Sequence, residues 1–500
     1  MLGPLLREWS HFPELLATIP TSGTIWAVLL IAVLLGYIIG VLPGLGATMG
    51  MALMLGFIPR IPPEHGIALM MGVLISCMSS SGITSILINI PGTAASAATV
   101  LDGYPLFKQG KGKEVIGASV VCSAIGTISA ILAILVIQPY IFTIALMLGD
   151  WEVFLFCVFG VLICGALAGN NLWKGLASAV LGLTFAMVGL ETVQAVRRFT
   201  FGVPTLLIGI PEVAALLGLF GLSEVFYVLR KESKINNEAI RGVGWFVIPF
   251  KTLKDNIWNM VRSVFAGLWV GFLPGIGESA ACWVCYDVAK RNSKDKEKFG
   301  KGSFEGVIAA ETGNSVSSVG SLIPSLSLGI PGSATTAVFI AALFLMDYRP
   351  GPTLLQMAPG LVVKIAIITV MAALASVVVA FAMSKAVTKF FTIPHEYLMP
   401  IVVVLCVVGA WGTGFTKHHI IVLFVFGLIG YVMKVRDFAV APMVLGLLIG
   451  SILDVSFRRA LILYAQEPLT MFTRPFGMFF TVVLVALFVM GVKSSKTKKT

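Results

Sequence analysis

GVLPGLG at residues 40–46 and GFLPGIG at residues 271–277 are one short stretch written twice. A second pair follows: NIPGTA at 89–94 and GIPGSA at 329–334. The copies lie 231 and 240 residues apart, so each repeat spans close to half of the 500-residue chain. Solenoid arrays repeat every 20–50 residues or so, which excludes that architecture. Gly/Pro interruptions at matching places in two apolar halves point instead to a transporter's binding site.

The residues around these motifs set the class. The chain is 57% hydrophobic and 12% charged, with a mean hydropathy of +0.96. Apolar runs of about 20 residues, enough for a helix to span a bilayer, recur along its length. Open strands would leave backbone groups unpaired in lipid, and the alternating segments of a β-barrel are absent. The expected fold is an all-α polytopic membrane protein. Its two inverted repeats would each carry broken helices and a re-entrant hairpin. The expected divisions are a first transmembrane repeat (1–229), a cytoplasmic linker (230–256), a second repeat (257–455), and an extra C-terminal span with a basic tail (456–500). The N-terminus has no basic stretch before its first apolar run, so it reads as a retained span rather than a signal peptide.

The net charge of +11 falls in short loops, as the positive-inside rule expects, and not on a nucleic-acid-binding face. Candidate crossings are 24–42, 44–59, one within 65–107, 115–137, 151–168, 172–190 and 204–229. The second half offers 257–273, 275–289, one within 303–346, 359–383, 397–411, 418–434 and 438–453, followed by an unpartnered 476–492. Residues 59–65 carry one Lys or Arg against six in their counterpart 290–301, whereas 102–113 carry three against one in 347–356. Each basic loop therefore sits opposite its own copy, which is the signature of an inverted repeat. This places 102–113, 230–256, 290–301, Lys385, Lys389, Lys434 and Arg436 inside. It leaves Arg197, Arg198, Arg458 and Arg459 outside, against the rule: they line a pore, pair with acids such as Glu191 and Asp454, or mark a crossing count off by one.

Pro43 and Pro274 break their helices. Gly44, Gly46, Gly275 and Gly277 let another group approach the backbone. Helix N-termini beyond such breaks suit an anion, while carbonyls and hydroxyls suit a hard cation such as sodium. Candidate substrate- or ion-binding residues are Gly44, Gly46, Thr48, Asn89, Pro91, Gly92 and Thr93 in the first half. In the second they are Gly275, Gly277, Glu278, Ser279, Glu311, Asn314, Gly329, Pro331, Gly332 and Ser333. A sodium ion is expected near Asn89, Thr93, Asn314 and Ser333. The competing reading is that these small residues only let helices pack. Glu278 stands where the first copy has Ala47, and Glu311 lies within ETGNSVSS (311–318). Acids within spans are functional suspects; the alternative for Glu311 is an acid satisfied by backbone N–H groups at a helix end.

Other chemistries find little support. The seven cysteines lie almost entirely in apolar segments, and Cys282 and Cys285 have no second pair or nearby His to complete a metal site. His418 and His419 read as interfacial. GLGATMG (44–50) has the wrong spacing for a dinucleotide fingerprint, and no phosphate loop, HExxH or GxSxG occurs. No enzyme activity is expected, and no cofactor beyond a coupling cation (sodium or proton).

With repeats and loops assembled, the chain resembles the large permease subunit (TctA type) of the tripartite tricarboxylate transporter family. The resemblance is carried by GVLPGLGATMGMAL (40–53), ILINIPGTAASAATVLDGYPLFKQGK (86–111), GFLPGIGESAA (271–281) and EGVIAAETGNSVSSVGSLIPSLSLGIPGSATTA (305–337). It implies a bacterial inner-membrane importer of tri- or dicarboxylates. Such a permease works with a small four-helix membrane subunit and a periplasmic substrate-binding protein, usually with cation symport. Two departures fall at the expected site. Gly313 precedes Asn314 where the family tends to pair asparagines, and MSSSGIT (78–84) stands where it tends to have Tyr-Gly-Gly. A gradient-independent channel or exporter for small organic anions is the alternative on the same scaffold.

Overall fold

The computed structural model describes residues 9–42, 45–89, 91–167, 172–191, 193–230, 244–273, 277–387, 395–467, 470–474, 476–478, 481, 482 and 484. Among them, a two-residue ladder of β1 (Gly189–Leu190) and β2 (Arg197–Arg198) is the only sheet. The principal helices of the first half are α1 (Gly23–Val41), α2 (Ala47–Met54), α3 (Pro63–Ile88), α4 (Ala97–Leu106), α5 (Gly112–Ala145), α6 (Asp150–Leu167), α7 (Leu172–Ala186) and α8 (Glu212–Arg230). The second half contains α9 (Ile257–Phe272), α10 (Gly277–Asn292), α11 (Phe304–Gly320), α12 (Leu322–Leu328), α13 (Ala334–Leu345), α14 (Leu361–Ala382), α15 (His395–Gly414), α16 (Lys417–Val435) and α17 (Val440–Leu463). Among the described residues, seven stretches are long and apolar enough to span a bilayer: α1, α3, the run from α4 through α5, α8, α14, α16 and α17. The chain is a multi-pass membrane protein.

Two expected crossings need correction. The 44–59 segment forms α2 and a 3-10 turn, Leu55–Arg60. Eight helical residues rise only about 12 Å, too little to cross the hydrocarbon. The 204–229 crossing begins late, because Pro204–Ile208 is a 3-10 turn and the helix starts at Glu212. The expected span 476–492 lies mostly outside the described residues.

Helix ends follow local chemistry. Ser22 caps α1 by accepting the Ile25 N–H at 3.5 Å. The helix stops at Leu42, since a residue before proline avoids the helical region. Leu42 (φ −82°, ψ 118°) and Leu273 (φ −80°, ψ 116°), 231 residues apart, leave their helices in the same extended conformation. Small residues then set the packing. A Cβ at Gly36 would lie 2.6 Å from the Val73 carbonyl oxygen, and one at Gly40 would lie 2.4 Å from that of Cys77, so α1 rests directly on α3. Gly267 and Gly271 bring α9 onto α11 in the same way, 3.1 Å from the Gly313 oxygen and 2.7 Å from that of Ser317.

The basic loops converge at one end. Gln109 donates to the Lys301 carbonyl at 2.9 Å, Val247 N–H to that of Lys113 at 3.1 Å, and Lys385 lies 4.7 Å from the Trp245 ring centroid. The fully buried Asp102 binds α4 to the 300–303 loop. Its Oδ1 accepts the N–H groups of Gly300, Gly302 and Ser303 at 2.8–2.9 Å, and its Oδ2 accepts the Tyr286 hydroxyl at 2.9 Å. At the opposite end Lys364 pairs with Glu64 at 2.7 Å, Arg60 lies over the Phe415 ring, and His418 contacts the Gly209 carbonyl. Two of the four outer arginines are ion-paired: Arg198 meets Asp454 at 3.0 Å and Glu191 at 3.8 Å, and Arg458 meets Asp454 at 3.1 Å. Burial alone would raise the Glu191 carboxyl. The N–H groups of Val193 and Gln194, with Arg458 and Arg198, outweigh it and hold that carboxyl below the usual range.

The two matched helices run in opposite directions. Ile83, Ile86 and Leu87 of α3 cluster with Val115, Ile116 and Val120 of α5, while Gly82 lies beside Ser119, so α3 and α5 are antiparallel. Ser123 bonds Glu311, Gly126 abuts Thr312, and Gln138 donates to the Ile323 carbonyl, so α5 runs parallel to α11 and α12. Hence α3 and α11, 240 residues apart, are antiparallel.

Candidate functional site

α3 ends at Asn89 in the left-handed conformation (φ 58°, ψ 24°), the usual way to stop a helix. The chain then turns back along α3. A Cβ at Gly92 would stand 2.8 Å from the Ser81 carbonyl oxygen and 3.0 Å from that of Gly40, so the returning strand fits only as glycine. Thr93 Oγ1 donates to Ser81 Oγ at 3.4 Å, Thr93 N–H to Ser96 Oγ at 3.2 Å, and Ser96 Oγ to the Thr93 carbonyl at 3.0 Å. Thr84 Oγ1 donates to the Val41 carbonyl at 2.8 Å, satisfying a group that the broken α1 leaves open. The first break and the first returning strand therefore meet.

The same device recurs 240 residues on. Gly329 ends α12 in the left-handed conformation (φ 71°, ψ 13°). A Cβ at Gly332 would lie 2.9 Å from the Ser321 carbonyl oxygen, and Ser333 Oγ is 3.2 Å from Ser321 Oγ. Ser333 N–H donates to Thr336 Oγ1 at 2.9 Å, and Thr336 Oγ1 to the Ser333 carbonyl at 3.0 Å. One group is new. Glu278, in the first turn of α10, accepts the Thr335 hydroxyl at 2.5 Å, and Thr335 lies 2.8 Å from Ser333 Oγ. The corresponding first-half residues are Ala47 and Ala95.

The halves also interlock. α2 packs on α13, while α10 packs on α4 and the turn before it. Glu311 belongs to α11 but faces the first half. It is fully buried, with Thr99 Oγ1 donating at 2.5 Å and Ser123 Oγ at 3.2 Å. The helix-end alternative for Glu311 is not what is seen: the side chain lies mid-helix and is met by hydroxyls.

Thr93, Gly92, Gly332, Ser333 and Glu278 sit in the two turns as described. Asn89 and Pro91 are exposed, whereas Gly329 and Pro331 are buried. Gly46 caps α2, with open space where a Cβ would go, and Thr48 is half-buried one turn on. Gly277 starts α10. Gly44, Gly275 and the side chain of Ser279 lie outside the described residues. The four residues expected around sodium are spread out: Thr93 and Ser333 in separate turns, Asn89 exposed, and Asn314 seven residues before Ser321, about 10 Å along the helix axis. Sequence reasoning misses Ser321, Thr99 and Ser123. Of these, Ser321 carries a signal, as the partner of Ser81 at the 240-residue offset.

Among the described residues no group of three or more His, Cys, Asp or Glu gathers to hold a metal. The model of the Tripartite tricarboxylate transporter TctA family matches residues 26–445. The chain belongs to this family. TctA proteins are parts of a tripartite transporter, so this chain is a transporter component with partner subunits. It is 29% identical over 471 residues to an Agrobacterium vitis protein described as "Uncharacterized 52.8 kDa protein in TAR-I ttuC' 3'region", covering 94% of this chain and 93% of the relative. It is 31% identical over 209 residues to the "Uncharacterized protein in TAR-II ttuC' 3'region" of the same organism, covering 42% and 86%. No solved structure matches this TctA chain.

Proposed function

We propose that this TctA-family chain is the permease of a secondary active importer for organic tri- or dicarboxylates in the bacterial inner membrane. A cation gradient drives it, an extracytoplasmic binding protein supplies it, and a small membrane subunit completes it. The observation that carries this reading is the duplicated turn. Ser81–Gly92–Thr93–Ser96 and Ser321–Gly332–Ser333–Thr336 make matching contacts on antiparallel helices. Equivalent turns on opposed helices are what an inverted repeat requires, and such repeats place transport sites between their halves.

The chemistry suits an anion at the first turn. The hydroxyls of Ser81, Thr93 and Ser96 and the backbone N–H of Thr93 gather there, and Ala47 and Ala95, the counterparts of Glu278 and Thr335, add no negative charge. Glu278 at the second turn favours a cation or proton on that side. Alternating access would open one turn and then the other as the interlocked halves shift.

The test is uptake of labelled citrate, dicarboxylates and aromatic acids by cells expressing the chain with its small subunit and binding protein. Uptake of one acid that needs both the binding protein and a cation gradient is expected. Flux independent of any gradient would replace this reading with a channel or exporter.

A further inference from the structure

Among the described residues, Glu311 is a buried acid without a counter-charge. None of the ion pairs of the described residues includes it. The titratable groups that face it are the thiols of Cys122 on α5 and Cys282 on α10. An isolated carboxylate in such surroundings is strongly disfavoured unless a positive charge joins it.

A second observation points to what joins it. Asn314 is fully buried, and among the described residues neither its Oδ1 nor its Nδ2 has a hydrogen-bond partner; the Ser315 hydroxyl is likewise unpartnered there. Residues three and four apart share a helix face, so Asn314 and Ser315 continue the face that carries Glu311. That face meets α3. Gly82 abuts the Glu311 carboxyl, since a Cβ there would stand 2.6 Å from Oε1. Because α3 and α11 are antiparallel, Ser79, one turn before Gly82, falls opposite Asn314. Its hydroxyl is also buried and unpartnered. Buried polar groups are almost always paired, and several orphans on facing helices beside an unpaired acid mark a missing ligand. The first half has Met71 and Leu74 where the second has Glu311 and Asn314, so the group exists once, at the crossing of the two halves.

We propose that Glu311, Asn314, Ser315 and Ser79 form a monovalent-cation site, occupied by sodium or by a proton on Glu311, distinct from the two turns. It rests on the transport reading for its role as a coupling site. Thr99 on α4 and Ser123 on α5 orient the carboxylate, so occupancy couples the second-half helix to the first-half turn. Sodium would take oxygen ligands from Glu311, Asn314 and the serines.

The test uses the purified full-length protein in detergent and needs no transport. Thermal unfolding is followed in sodium chloride against choline chloride at equal ionic strength, with infrared spectra of the same samples. Sodium occupancy predicts a sodium-specific rise of about 2–4 °C that is lost in Glu311→Gln. Proton occupancy predicts no sodium effect and a protonated-carboxyl band that vanishes in Glu311→Gln. Asn314→Leu, which installs the first half's residue, should abolish the sodium rise and leave the proton band. A sodium rise that survives both substitutions, or a wild type with neither signal, overturns the site. Uptake, measured separately, would remain free to support transport if this site failed.

Discussion

The turn at 89–96 and the turn at 329–336 hold their backbones with the same bonds, yet their linings and surroundings differ. Ala95 lies in the first, whereas Thr335 in the second meets Glu278, whose sequence counterpart is Ala47. Asn89 and Pro91 are exposed, whereas their counterparts Gly329 and Pro331 are buried. The second tip is covered: Gly351 N–H donates to the Leu326 carbonyl at 2.9 Å, and a Cβ at Gly329 would stand 2.9 Å from the Pro350 carbonyl oxygen. The glycines and hydroxyls fix the turn and are shared by both halves. Charge and access lie outside that constraint and have diverged. A symmetric pair of turns would offer the same charge twice; this pair does not.

The most severe way to break the comparison is to fill either turn. Gly92→Leu and Gly332→Leu both drive a side chain into backbone that cannot move aside. Each should lower uptake at least tenfold or so, with membrane insertion by immunoblot unchanged. Normal uptake in either variant would remove that turn from the site. A subtler change erases the difference in charge. Glu278→Ala with Thr335→Ala gives the second turn the first turn's residues and should cut gradient-driven uptake by about tenfold, from loss of a charged hydrogen bond. Ala95→Thr at the first turn should leave uptake within about threefold.

Thr84 sharpens the comparison further, because Pro324 occupies its place in the second half. Thr84→Val strands the Val41 carbonyl and should cost about 1–3 kcal/mol of stability, read by thermal unfolding in detergent. The smallest effect concerns the outer end. The Glu191 carboxyl is held below its usual range, so its stabilising contribution is full above the ordinary glutamate range and is lost as pH falls through its lowered value. Hydrogen-exchange protection of residues 193–198, corrected for intrinsic exchange, should therefore fall on acidification in the wild type. Glu191→Gln should show fast exchange already at neutral pH.

Much of this is legible in the sequence. Pro43 and Pro274 predict breaks, and Leu42 and Leu273 leave their helices where they should. The basic loops predicted to share a side do meet, through Gln109–Lys301 and Val247–Lys113. Periodicity and charge report on segments, not on what a side chain meets from a distant one. The approach of Thr99 and Ser123 to Glu311 joins residues 212 and 188 positions apart, and no local pattern encodes it. The 44–59 segment reads as a crossing because apolar composition does not distinguish a short helix buried in protein from a span in lipid; Met49, Met51, Ala52 and Leu53 are all buried.

If the two turns form one carboxylate pathway, substrate should protect both, and that is the most direct test of the transport reading. Thr93→Cys and Ser333→Cys would be made singly in a background lacking the seven native cysteines. Each variant would be labelled with a small thiol reagent in vesicles of defined orientation, with and without the transported acid. The thiol of the Thr93→Cys variant should label readily in the absence of substrate. That of the Ser333→Cys variant should label more slowly beneath its cover, and the acid should protect both. Labelling of either variant at a rate the acid does not change would contradict a shared pathway.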